Sequence, residues 1–291
     1  MLRQAALIFA LSVGLVAAGQ QNRRPTPAAH RHSPSDLEVF ILDSSGKTIS
    51  NIFLSRAFLA GLPQKTTILK ADENFPELPT SHARLKGVDL DTLIRAIYPS
   101  DPRVAAVALC RDSYNSPFPR QAILDHHPIL VLTIDGLSPH AWARKNHTYD
   151  PMPYFIAYQD FVPSFQVLNQ DERAQHPAEI IRLELLPSTS LFTSITPPNS
   201  AQLPPGSPVL DGFRIAQQNC IRCHNSGETG GTKAHRTWQH LAEVAKSRPD
   251  YFATWVHDPM SLKPDAKMPP NLKYDQATLK ALTRYFQTFA P

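Results

Sequence analysis

Little in the 291-residue chain is supplied in bulk except proline: it has three cysteines, eleven glycines against twenty-eight prolines, and a net charge of only +4. Three cysteines are too few for a disulfide scaffold. With 42% apolar residues a packed core is available, and an intrinsically disordered chain is excluded. The mild positive charge, with no basic stripe interleaved with aromatics, argues against a nucleic-acid partner. After the N-terminus no apolar run reaches the ~20 residues that cross a bilayer. No internal repeat is present, and the length suits two domains of roughly 100–200 residues each.

The N-terminus itself has the layout of an export signal. Arg3 provides the positive start, Ala5 to Ala18 a short apolar run, and Ala17-Ala18-Gly19 the small residues of a cleavage site. Residues 1–19 are therefore expected to be a signal peptide, and the mature protein to lie in the periplasm or otherwise outside the cytoplasm, with no stable membrane span. No cysteine follows the run, which argues against a lipid anchor. Residues 20–36 are polar and proline-punctuated and read as a disordered tail, with His30 and His32 as solvated side chains rather than metal ligands.

From Leu37 to Pro187 the pattern is mostly strand. Apolar, β-rich segments fall at Leu37–Leu42, Thr66–Leu69, Val104–Leu109, Ile129–Ile134, Tyr154–Tyr158 and Ile180–Leu186. Ile52 to Leu59 suggests a short helix. Asp89 is placed to cap a second one with Leu90, Leu93, Ile94 and Ile97 on one face. Residues 37–187 are expected to form an α+β domain. Residues 188–208, with Pro197-Pro198, Pro204-Pro205 and Pro208, read as a linker. Residues 209–291 are helical in pattern.

The sharpest chemical signal is Cys220-Ile221-Arg222-Cys223-His224. Two cysteines three positions apart can each bond one vinyl group of a haem, and the next histidine then reaches the iron; C-x-x-C-H is the attachment motif of c-type haem. Zinc would need further cysteines nearby, and Cys110 lies over a hundred residues away. Met268, in Lys267-Met268-Pro269-Pro270, is the favoured sixth ligand because a neutral thioether favours ferrous iron. Met260 is its rival, and His235, His240 and His257 are weaker ones. Cys110 reads as a small buried hydrophobe. His126-His127, His140 and His147 read as structural or solvated histidines rather than a metal cluster.

Residues 209–291 resemble a class I c-type cytochrome domain. The resemblance is carried by Asp211-Gly212-Phe213, the CIRCH motif, Tyr251 to Pro259, the KMPP segment and a closing amphipathic helix with Leu279, Leu282, Phe286 and Phe289. It implies one covalent haem c on Cys220 and Cys223, with His224 and Met268 as axial ligands. The family often carries a Gly-Pro after the motif, whose carbonyl holds the proximal histidine. Here Gly230-Gly231-Thr232-Lys233-Ala234 has no proline. Residues 37–187 resemble the sulfite-oxidase-type molybdopterin-binding fold through Leu85 to Ile94, Val104 to Tyr114 and Ile129 to Gly136. In that family the metal-ligating cysteine lies on the strand before the short helix of the first segment, where this chain has Ile68-Leu69-Lys70-Ala71-Asp72. A bound molybdopterin is therefore not expected.

The expected fold class is an α+β N-terminal domain followed by an all-α class I cytochrome c domain. The expected function is single-electron transfer between redox partner proteins, with no substrate chemistry of its own. The alternative is a haem-containing molybdopterin oxidoreductase with a catalytic N-terminal domain. The N-terminal domain has a net charge of −3 and the C-terminal one +4. One expectation is weak electrostatic docking between them, with Lys263, Lys267 and Lys273 as contacts; the other is that these lysines face solvent or steer an external acidic redox partner.

Overall fold

The computed structural model describes residues 26–291 except Glu73, Ser81, Ser100 and Pro102; the expected signal peptide lies outside the described residues. In chain order the strands are β1 (Leu37–Leu42), β2 (Thr48–Leu54), β3 (Lys65–Ile68), β4 (Arg84–Asp89), β5 (Val104–Cys110), β6 (Asn115–Phe118), β7 (Ile129–Ile134), β8 (Ile156–Ala157), β9 (Gln166–Val167), β10 (Gln170–Asp171), β11 (Ile180–Pro187), β12 (Asn225–Ser226) and β13 (Thr229–Gly230). The helices are α1 (Arg56–Gly61), α2 (Leu90–Ile97), α3 (Arg120–His126), α4 (Pro139–Asn146), α5 (Pro208–Asn219), α6 (Trp238–Ser247), α7 (Pro249–His257), α8 (Pro259–Leu262) and α9 (Gln276–Gln287).

Two sheets organise the N-terminal part. One has the order β2-β1-β11-β5-β6, with β1 and β11 parallel and the other pairs antiparallel. The other, β3-β4-β7-β8, is antiparallel throughout. Alternation along β1 sends Leu37, Val39 and Ile41 inward. Leu37 and Val39 share a core with Leu183 and Ala106 of the same sheet, Val88 and Leu130 of the other, and Leu90, Leu93 and Ile94 of α2. Asp89 caps α2 by accepting from the backbone N–H groups of Asp91 and Thr92. The other face of the four-stranded sheet is covered by Phe75, Trp142 and Phe155.

The chain as a whole is mixed α/β, with nine α-helices and four sheets among the described residues, and this overturns the expected fold class. The C-terminal part is not all-α. The segment after His224 doubles back as the hairpin β12–β13, where Gly227 and Gly230 adopt positive φ and allow the tight return. Helical periodicity elsewhere in residues 209–291 hid this small sheet.

Other differences have equally local causes. Ile52 to Leu54 belong to β2 because pairing with β1 satisfies their backbone, and the helix starts only after the Ser55 cap. From residue 26 the expected tail lies along the edge strand β2. Ala28 and Phe53 exchange backbone hydrogen bonds of 2.9 and 2.8 Å, and the Asp36 carboxylate accepts from the N–H groups of His32 and Ser33. The proline-rich stretch 188–208 packs against both parts: the Ser190 hydroxyl donates to the Ser44 carbonyl, and buried Ile195 accepts from the Tyr285 hydroxyl at 2.6 Å.

In the C-terminal part α5 crosses α9 at Gly212. A Cβ there would lie 2.2 Å from the Ala281 carbonyl oxygen and 2.7 Å from the Tyr285 Cβ. Gly212→Ala is therefore expected to destabilise the protein by about 1–3 kcal/mol through overpacking, although alanine is the better helix former by about 1 kcal/mol. A urea melt of the full-length protein gives the sign; an unchanged or raised midpoint would show that the helices do not meet there.

Candidate functional site

The CxxCH segment continues the end of α5 as a further helical turn. The N–H of Cys220 donates to the Ala216 carbonyl at 3.0 Å, and those of Cys223 and His224 donate to the Cys220 carbonyl at 3.2 and 2.9 Å. Residues three apart on such a turn share a face, so the two cysteines are neighbours on one side of it. Both are free thiols and half-buried. Burial, and secondarily Cys223 beside it, pushes the Cys220 thiol up to about 12.

His224 is 9% exposed. Its Nδ1 lies 2.6 Å from the Arg236 carbonyl oxygen. A carbonyl can only accept, so Nδ1 carries the proton and Nε2 keeps the lone pair that a metal needs. Burial lowers the His224 pKa, and the Arg236 hydrogen bond opposes that shift without reversing it. The neutral, ligating form is thereby favoured. Arg236 supplies the support that the missing Gly-Pro left without a candidate.

The β12–β13 hairpin and the residues after it buttress this turn. The N–H of Gly231 donates to the Ile221 carbonyl at 2.8 Å, and that of Ala234 to the Cys223 carbonyl at 2.9 Å. A Cβ on Gly231 would lie 1.9 Å from the Arg222 carbonyl oxygen, so only glycine permits this approach.

Behind the turn lies an apolar cluster of Ile215, Ile221, Trp238, Phe252, Tyr285 and Phe286. Cys220 and Met268 both border it. Met268 is half-buried, whereas Met260 is 45% exposed on the single turn α8. The residue set fits a c-type haem: two free thiols on one helical turn, a neutral histidine with its Nδ1 anchored, an apolar wall, and a thioether at the wall's edge.

Sequence reasoning missed the supports that come from the N-terminal part. The backbone N–H of Asn115 donates to the Arg222 carbonyl at 3.0 Å, and its side-chain amide donates to the Gly230 carbonyl at 2.9 Å. The N–H of Thr232 donates to the Ser113 carbonyl, and Lys233 pairs with Asp112. Buried Arg222, between the two cysteines, donates to the Gln175 side-chain oxygen, which also accepts from the Ser116 hydroxyl, both at 3.2 Å. The two parts thus join through backbone and buried polar contacts around the motif. These contacts lie apart from the Lys263, Lys267 and Lys273 side chains named as docking candidates.

Three of the singled-out N-terminal histidines are each tied to a separate carboxylate, His126 to Glu172, His127 to Asp89 and His140 to Asp150, while His147 caps the end of α4. Among the described residues no group of three or more His, Cys, Asp or Glu side chains is arranged to hold a metal ion. Cys110, at the end of β5, is 5% exposed within the N-terminal core, and burial pushes its thiol up to about 12.

No family model matches the chain, and no curated protein matches it.

Proposed function

We propose that the chain is an exported c-type cytochrome, carrying single electrons between redox partner proteins through one haem covalently bound to Cys220 and Cys223. The observation that carries this reading is the Arg236 carbonyl fixing His224 on the turn that bears both cysteines. Once bound, the haem supplies one-electron redox chemistry, with a potential set by its axial ligands, burial and hydrogen bonds.

The chain's own residues supply the holding and tuning. Cys220 and Cys223 would give the thioether sulfurs, and His224 Nε2 and the Met268 thioether would hold the iron. The Arg236 carbonyl strengthens the imidazole as a donor. The wall of Trp238, Phe252 and Phe286 excludes water from one side and limits reorganisation on electron exchange. Export agrees with the motif, because haem ligation of this kind needs reduced thiols presented to dedicated machinery outside the cytoplasm. Among the described residues no helix is long and apolar enough to cross a membrane.

The N-terminal part is a structural partner of the haem segment rather than a molybdopterin enzyme. Cys110 supports this. It lies on a core strand, 5% exposed and packed among apolar side chains, rather than facing an open cofactor site. Metal and haem analysis of the mature protein, made in a host competent for both cofactors, is expected to give one haem per chain and no molybdenum. Stoichiometric molybdenum would contradict this reading and favour the oxidoreductase.

A further inference from the structure

Residues 158–179 leave the N-terminal part after β8 and return to it at β11, and between the two they reach across to the C-terminal part. The strap is tied to itself and to α3 at Glu172, which is buried together with His126. The Glu172 carboxylate accepts from the Ser164 N–H and hydroxyl at 2.8 and 2.7 Å and bonds His126 Nε2 at 2.9 Å. Farther along, Gln218 accepts from the Arg173 N–H at 2.8 Å, just before the CxxCH turn.

The tip is the short β9–β10 hairpin. Val167 inserts into the apolar cluster of the C-terminal part and is 3% exposed. Leu168 is held at φ 54°, a left-handed conformation that a bulky side chain adopts only when its surroundings impose it. That conformation turns Asn169 toward α9. The Asn169 side-chain amide donates to the Lys273 carbonyl at 2.9 Å, and its oxygen accepts from the fully buried Thr278 hydroxyl at 2.7 Å. Gln170 donates to the same Asn169 oxygen and fixes the orientation of the amide.

Lys273 ends the loop that carries Met268, and Thr278 lies in the first turn of α9. The loop's other anchors are Asn271, which binds the Val256 and His257 carbonyls, and Tyr274, whose hydroxyl accepts from Asn219. All of these come from within the C-terminal part; from outside it come Asn169 and, by a longer 3.5 Å bond to the same Lys273 carbonyl, Gln170.

We propose that Asn169 is a positioning residue for the distal ligand. By clamping the exit of the Met268 loop to the start of α9, it lets the N-terminal part set how firmly the thioether is presented. This inference rests on Met268 being the distal ligand. Removing the clamp takes the Asn169 bond from the buried Thr278 hydroxyl and loosens one end of the loop, so an outside ligand should displace Met268 more easily.

The test uses the full-length, haem-loaded ferric protein titrated with imidazole. Asn169→Ala is expected to bind imidazole about tenfold more tightly than the parent, as the loss of two modest hydrogen bonds allows. Thr278→Val keeps the Lys273 bond and is expected to give about a threefold change, one bond's share. Phe165→Ser, on the exposed side of the strap, should behave as the parent. At saturating imidazole the spectra of all four should coincide, which shows that the His224 side is untouched. Equal imidazole affinity in Asn169→Ala and the parent, with the long-wavelength sulfur-to-iron band present in both, would overturn the clamp alone. A parent that lacks that band would overturn the Met268 ligation and the clamp with it.

Discussion

Replacing Cys220 and Cys223 together with serine is expected to abolish covalent haem attachment: after denaturing electrophoresis, a peroxidase stain for haem is expected at the protein's mass in the parent and not in the double variant. A serine oxygen does not form the thioether bond, and no other sulfur can substitute. Cys110, the chain's third cysteine, is buried in the N-terminal core with its thiol pushed up to about 12. The fold itself should survive, because the turn is held by backbone bonds from Ala216, Gly231 and Asn115 that do not use the sulfurs. Each single variant keeps one attachment point and should stain weakly. A stain that persists undiminished in the double variant would mean that the motif is not the attachment site.

Met268→Ala is expected to convert a low-spin spectrum to high-spin, to open the sixth position to added ligands, and to lower the potential. The drop should be a substantial part of the ~0.8 V range over which axial ligands tune haem, because a thioether stabilises the ferrous state. Met260→Ala should do none of this. The contrast follows from placement: Met268 borders the cluster that Cys220 also borders, whereas Met260 is 45% exposed on α8. If Met260→Ala produces the spectral change and Met268→Ala does not, the distal ligand has been assigned to the wrong methionine.

What could be read from the sequence was what is local. The Asp89 cap and the apolar face after it predict α2, and Asp275 before Leu279, Leu282 and Phe286 predicts α9, whose cap accepts from the Thr278 N–H. The near-continuous apolar run Ile129–Ile134 is β7. The α6 helix also carries a local signal, Thr237 capping a run with Trp238, Ala242 and Ala245 on one face. The β12–β13 hairpin was hidden because two-residue strands carry no periodicity.

The supports of the site are another matter. Arg236 holds His224 through a backbone carbonyl, which any residue could offer, so its identity carries no signal. Asn115, Gln175 and Asn169 act across long sequence separations, and nothing in their neighbourhoods announces it. The motif names the chemistry, while the three-dimensional fold decides what braces it. The same long-range contacts turn residues 188–208 from a free linker into a packed segment: the Ile195 carbonyl meets Tyr285 only because α9 folds back over it.

The intact mass of the mature protein tests the central claim most directly. The protein should be produced in a host that carries the haem-ligation machinery, then fully denatured and extracted to remove non-covalent cofactors before it is weighed. The account predicts the mass of the polypeptide plus one haem, with the added mass on the peptide that contains Cys220 and Cys223. The mass of the polypeptide alone, from a host that matures another c-type protein in the same culture, would contradict it.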